Sequence, residues 1–196
     1  FGDALDLLSR TNSRWSRADC LIYAGTCEQR RGRPGGLPML DEALAEARRL
    51  GARYVEANAL VARAAAHLRA GALDAAIADA SAGAAVAREA TLVGYEIQGL
   101  ARHALALSRL GNRTAEAGAL VHRALVLLDA QQYLEGSEEE VLVACATVLS
   151  AAGGGDRSNT LLDRGRASAR RKLAALPDPQ WRAAYAAIPE IAELLA

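Results

Sequence analysis

Apolar and small residues recur along this chain in blocks that repeat as a unit. A Leu is followed four places on by a small residue, and seven places after that by a Gly. The sets are Leu21/Gly25/Gly32, Leu60/Ala64/Gly71, Leu100/Ala104/Gly111 and Leu142/Ala146/Gly153. Successive copies are displaced by 39, 40 and 42 residues with the internal spacing unchanged. Residues four apart share one face of a helix, and Gly supplies a left-handed exit from one. Self-similarity at such a period marks a repeat array. The spacing predicts first helices over about 15–31, 54–70, 95–110 and 138–152, and second helices over about 38–50, 73–90, 114–131 and 157–175.

Local chemistry agrees with these divisions. Pro38 suits the first turn of a helix, and Leu50-Gly51 reads as a helix end. Ser137 and Glu140 have the spacing of a capping box, in which Ser accepts from the amide of Glu140 and Glu reaches back. The second helices carry a small-residue stripe at Ala76, Ala80, Gly83 and Ala84, then at Ala117, Val121, Ala124 and Leu125. Gln131 to Gly136 widens one link, and Gly153 to Gly155 loosens the last turn. Asp178-Pro179 is a helix cap followed by a first-turn Pro, and Pro189 restarts a short final helix. The division expected is 1–14 as the tail of a preceding repeat, 15–176 as the array (about 15–53, 54–92, 93–134 and 135–176), and 177–196 as a C-terminal cap.

Composition sharpens this picture. The chain is 52% hydrophobic but only 4% aromatic, so its core must be built from Ala and Leu, which favours closely stacked helices over a sheet. Equal numbers of basic and acidic residues, 23 each, leave no global field to draw it to nucleic acid or membrane. Lys172 is the only Lys. No apolar run approaches the roughly 20 residues of a membrane span, and no signal peptide is visible, so a cytoplasmic location is expected. Phe1 in place of an initiator Met suggests a piece of a longer protein. Cys20, Cys27 and Cys145 are an odd set with no CxxC, which argues against a disulfide framework or structural zinc.

No catalytic signature is present. A phosphate-binding GxxxxGK[ST] loop, a GxGxxG after a strand, HExxH and GxSxG are all missing. His67, His103 and His122 fall in three different helices without ligand-spaced partners. The basic run from Arg157 to Lys172 is diluted by Asp156 and Asp163 and reads as a solvated face. No enzyme activity, cofactor or metal is expected.

With Leu at the fourth position, a small residue at the eighth, Gly at the fifteenth and Ala near the twentieth of each unit, the chain resembles the tetratricopeptide repeat. The second unit fits best, through Leu60, Ala64, Gly71, Leu73, Ala76 and Gly83. Units longer than the family's look like the long-helix variant of bacterial regulators of the maltose-regulator type, and of multidomain signalling kinases and ATPases. The family's usual Trp and Tyr of the first helix are missing, and the third unit needs an insertion before Ala117. The ending, from Asp178 through Trp181 and Tyr185 to Leu195, is similar to the closing segment of repeat regions that follow a kinase or signalling ATPase module.

The resemblance implies an all-α, right-handed superhelical array of about four antiparallel hairpins, with a concave wall formed by the first helices. Carried over, that wall has an apolar floor at Ile22, Val61, Ala101 and Val143, amides at Asn58 and Gln98, and a ladder of Arg30, Arg69 and Arg109. A planar guanidinium suits carboxylates. The expected role is therefore a non-enzymatic, regulatory protein–protein interaction scaffold, taking an acidic peptide or partner protein in the groove. Two other roles remain open. A small-molecule sensor predicts an enclosed pocket with aromatic or amide walls. Self-association predicts an apolar face at the N-terminal end. Helix-end neutralisation of the macrodipole is the competing account of the three Arg.

Overall fold

A computed structural model describes residues 1–11, 13–131 and 134–196. Among them the chain forms eleven α-helices and no strand. The four first helices are α2 (Arg14–Arg30), α4 (Arg53–Ala70), α6 (Val93–Leu110) and α8 (Glu138–Ala151). The second helices are α3 (Gly36–Leu50), α5 (Leu73–Glu89), α7 (Thr114–Asp129) and α9 (Gly155–Ala175). A short α1 (Gly2–Arg10) precedes them, and α10 (Pro179–Ala186) and α11 (Pro189–Leu195) follow.

Each expected helix is present within a few residues of its expected bounds. The four repeating glycines all take positive φ, between 68° at Gly32 and 83° at Gly111. At Gly71 this ends α4 after Ala70 and returns the chain into α5 two residues later. Any side chain there would be strained by the backbone, although nothing crowds it. The Ser137 hydroxyl accepts from the Glu140 amide at 3.2 Å as expected, but Glu140 does not reach back. Its carboxylate bonds two guanidiniums instead, which attract it more strongly than a neutral N–H does. Asp178 caps α10 by accepting from the Gln180 and Trp181 amides. The widened link at 131–136 includes residues 132 and 133, which lie outside the described residues.

Within each pair, α2 packs on α3, α4 on α5, α6 on α7 and α8 on α9; the first helices also pack side by side in chain order. Small residues make the approach close. A methyl added at Gly99 of α6 would meet Ala84 of α5 at 2.9 Å, and one at Gly83 of α5 would meet Val61 of α4 at 2.9 Å. Leu60, Ala64, Leu100, Ala104, Leu142 and Ala146, the residues that define the repeat, are all at most 5% exposed. They hold the first helices at fixed spacing, so that the opposite faces of those helices form one continuous surface. Ile191 and Leu194 of α11 pack on Val143 and Ala169, closing the stack at its C-terminal end.

Candidate functional site

Residues of α2, α4, α6 and the start of α8 line a cavity of 310 Å³. Ile22, Val61 and Ala65 form its floor. Tyr23, Tyr95, Asn58 and Gln98 supply aromatic and amide walls, and Arg30, Arg69, Arg102, Glu135 and Glu140 bring charge. A second cavity of 350 Å³ continues it towards α11, sharing Arg69, Arg102 and Glu140, and adding Arg109, Glu190 and Glu193. The five candidate residues Arg30, Asn58, Arg69, Gln98 and Arg109 therefore all face these two cavities.

They do not, however, form a line of three open guanidiniums. Arg30 pairs with Glu140 of α8, which also accepts from Arg102 Nη2 at 3.0 Å. Because Glu140 stands 110 residues from Arg30, this pair joins the first helical hairpin to the last across the cavity. Arg109 Nη1 donates to the Leu68 carbonyl at 3.1 Å, so it satisfies a carbonyl in the last turn of the preceding first helix. This is the helix-end account of Arg109, though served on a neighbour rather than on its own helix.

Arg69 differs from both. Among the described residues it has neither an ion pair nor a hydrogen bond, and it lies where the two cavities meet. Its side chain is exposed at the lining of both. Partial desolvation by the protein nearby still lowers its pKa from the ordinary value, with the Glu140 charge opposing and Arg102 adding to the effect. Among the described residues no carboxylate answers it, and a planar guanidinium can bond both oxygens of one.

Of the amides, Gln98 is occupied structurally. Its Nε2 donates to the Glu135 carbonyl at 2.8 Å and its Oε1 accepts from Arg102, tying the link before α8 to α6. Asn58 is only 9% exposed, and its Nδ2 has no hydrogen-bond partner among the described residues.

The composition gave no hint of an aromatic cluster, yet one forms at the α2 end of the groove. Trp15 stacks on Tyr54 with centroids 6.0 Å apart, and Tyr54 meets Tyr95 edge-on at 5.4 Å. The Tyr54 and Tyr95 hydroxyls both donate to Glu135 Oε1, at 2.7 and 3.0 Å. Burial foremost, with the Glu135 charge contributing, pushes both phenols above their ordinary pKa. Asp19 lies beside them; burial and then the Glu135 charge raise its carboxyl. The Asn58 amide is close enough to lower that value somewhat, but not in hydrogen-bond geometry. Tyr54 and Tyr95 stand 41 residues apart, about one repeat, and that spacing was the available signal for the cluster.

Elsewhere the chemistry is internal. Arg164 bonds Asp129 and Glu138, and Lys172 bonds Glu139, so much of the charge on the basic helix α9 is spent on neighbours. His67 sits 3.4 Å from Asp79, which Arg63 also contacts at 3.1 Å, in a polar cluster between α4 and α5. No group of three potential metal ligands occurs among the described residues. Cys145 is buried and its thiol is pushed up to about 12 by that burial, which leaves it unreactive. No described helix is long and apolar enough to cross a membrane. At the N-terminal end, Phe1 and Leu7 are exposed. Comparison with known families, with curated proteins and with solved structures returns no significant match to this chain.

Proposed function

We propose that this chain is a non-enzymatic interaction module of a larger bacterial signalling protein. In this reading the stacked hairpins are a right-handed, tetratricopeptide-like superhelix whose concave groove takes an extended, acidic segment of a partner protein. The observation that carries the proposal is the place of Arg69: a guanidinium with no ion pair or hydrogen bond among the described residues, at the meeting of two neighbouring cavities. A carboxylate there gains a charge-assisted, two-pronged bond that no described side chain supplies. Apolar floor on either side suits the intervening side chains of a peptide better than a compact anion.

The test is fluorescence anisotropy with random dodecapeptides enriched on the protein. Enriched sequences should carry an acidic residue, and Arg69→Gln should weaken binding about tenfold, the value of one charge-assisted bond. Raising the salt should weaken it further. Peptides that bind Arg69→Gln as tightly as the parent would overturn the reading.

One observation favours a second reading, a small-molecule sensor. Tyr23, Tyr95, Asn58 and Gln98 are the aromatic and amide walls such a function requires, around a cavity at the small end of ligand-pocket sizes. A ligand specific to the folded state raises the melting temperature by mass action. A metabolite panel that produces no shift dependent on Asn58 would remove this reading.

A further inference from the structure

The first turn of α8 carries three adjacent glutamates, and one of them is used differently from the others. Glu138 bonds Arg164 at 2.9 Å and Glu139 bonds Lys172 at 2.8 Å, both on α9, the helix that α8 packs against. Glu140 turns to the cavity instead. Its Oε1 accepts from Arg30 of α2, and its Oε2 accepts from Arg102 of α6 at 3.0 Å. These three side chains line the same cavity as Arg69. The charges of Glu140, Arg102 and Arg30 all act on Arg69, so the four groups form one cluster. Glu135, also at this cavity, takes two tyrosine hydroxyls and among the described residues bonds none of the three guanidiniums. Glu190 of α11 acts on Arg69 from the second cavity without bonding it. Three guanidiniums are thus grouped around one carboxylate.

The fold nearby does not require this use of Glu140. The Ser137 hydroxyl caps α8 through the Glu140 amide, a main-chain contact in which the carboxylate takes no part. Among the described residues α2 and α8 do not pack on one another. Their bond is made by the ends of two long side chains, so releasing it parts no packed helices. The guanidinium of Arg102 does need a counter-ion, because its side chain is only 14% exposed and an unanswered charge in such a place is costly. A carboxylate arriving from outside meets that need as Glu140 does, with the same charge-assisted geometry.

We propose that Glu140 is a built-in competitor for the acidic ligand: it fills Arg30 and Arg102, and a bound segment with two acidic side chains puts one at Arg69 and the other in place of Glu140. This rests on the acidic-groove reading and adds to it two ligand groups, Arg30 and Arg102, and a restraint on binding. The restraint selects against segments with a single carboxylate, which cannot both engage Arg69 and replace Glu140.

The experiment is selection of random dodecapeptides on the parent protein, followed by anisotropy of the labelled winners on the parent, Glu140→Gln, Arg102→Gln and the variant with both changes. Winners should carry two acidic residues at a fixed separation. Glu140→Gln should bind them about tenfold more tightly, because no internal carboxylate has to be displaced. Arg102→Gln should change binding to the parent by less than about twofold, since the bond lost to the ligand is offset by the bond lost to Glu140. On the Glu140→Gln background the same change should weaken binding about tenfold. Winners with a single acidic residue, affinity unchanged or weakened by Glu140→Gln, or an equal loss from Arg102→Gln on both backgrounds overturn this inference. The acidic-groove reading stands in each of those cases if Arg69→Gln still weakens binding. Winners insensitive to Arg69→Gln, or no winners at all, overturn both. Circular dichroism checks the fold of each variant. If Glu140→Gln impairs folding, Glu140→Asp, which keeps the charge at the start of α8 and shortens its reach, carries the test: tightening supports the inference and its absence overturns it.

Discussion

Asp19 of α2 and Glu139 of α8 are both carboxylates on first helices, and their surroundings drive them in opposite directions. Glu139 is 1% exposed. Burial alone would raise its pKa, but bonds from Lys172, at 2.8 Å, and from Ser168, with its place in the first turn of α8, hold it below the ordinary value. Asp19 is less buried, yet burial raises its pKa and Glu135 adds to the rise, because among the described residues no cation answers it. The comparison extends to the whole surface. On the outer side Arg53 is matched by Glu56 and Glu89, Arg49 by Glu46, and Arg113 by Glu116. In the groove Arg69 has no ion pair among the described residues and Glu135 is met only by tyrosine hydroxyls, while a few residues away Arg30, Arg102 and Glu140 neutralise one another. The difference separates carboxylates and guanidiniums that hold helices together from those that no described side chain answers.

Four changes can break or sharpen this contrast. The largest effect is expected from Ala104→Leu. Ala104 is fully buried where the first helices are held at their spacing, and overpacking such a site costs about 1–3 kcal/mol. A melting temperature unchanged by this substitution would mean that the groove's spacing does not depend on the small-residue positions.

Lys172→Met should come next, at about 2 kcal/mol, since it leaves a buried carboxylate without its strongest bond. The pH dependence has a definite sign. A carboxyl lowered in the folded state stabilises above its ordinary value, 4.5 for Glu139, and loses that contribution as pH falls through the depressed folded value. The gap between parent and variant in urea unfolding should therefore be widest near neutrality and close in acid. A gap that is constant with pH would show that Lys172 contributes through packing alone.

Asp19→Asn should do the reverse and stabilise. With the folded pKa raised, stability is fully present below the ordinary 3.8 and is lost as pH rises through the folded value. The gain at neutral pH should stay below about 1 kcal/mol after solvent screening, and vanish in acid. Destabilisation at neutral pH would place Asp19 with the structural carboxylates and erase the contrast. The smallest effect belongs to Arg69→Gln, which removes no intramolecular bond and should change stability by no more than about 0.5 kcal/mol. A loss well beyond that, measured by the same unfolding curves, would make Arg69 a structural residue and end its candidacy as a ligand group.

The helices, their glycine exits, the Asp178 and Ser137 caps and the alanine faces were legible because each is specified by residues within one turn or one repeat. The structure places Arg30, Asn58, Arg69, Gln98 and Arg109, positions carried over from the family resemblance, at two neighbouring cavities. Their individual states did not follow. Arg30, Arg69 and Arg109 share a position within the repeat, but one meets Glu140, one meets a carbonyl and one meets nothing among the described residues.

What the sequence determined on its own was thus the periodic part of the protein: where helices begin and end, which faces are buried, and that the chain is all-α. Helix periodicity and turn chemistry are local, and they recur with the repeat. The tertiary structure alone decided which charges are answered, and it assembled Trp15, Tyr54, Tyr95 and Glu135 into one cluster. Those contacts join residues roughly 40 to 110 positions apart. They depend on how far each helix is turned and on the reach of long side chains, and neither is encoded by the spacing of apolar residues.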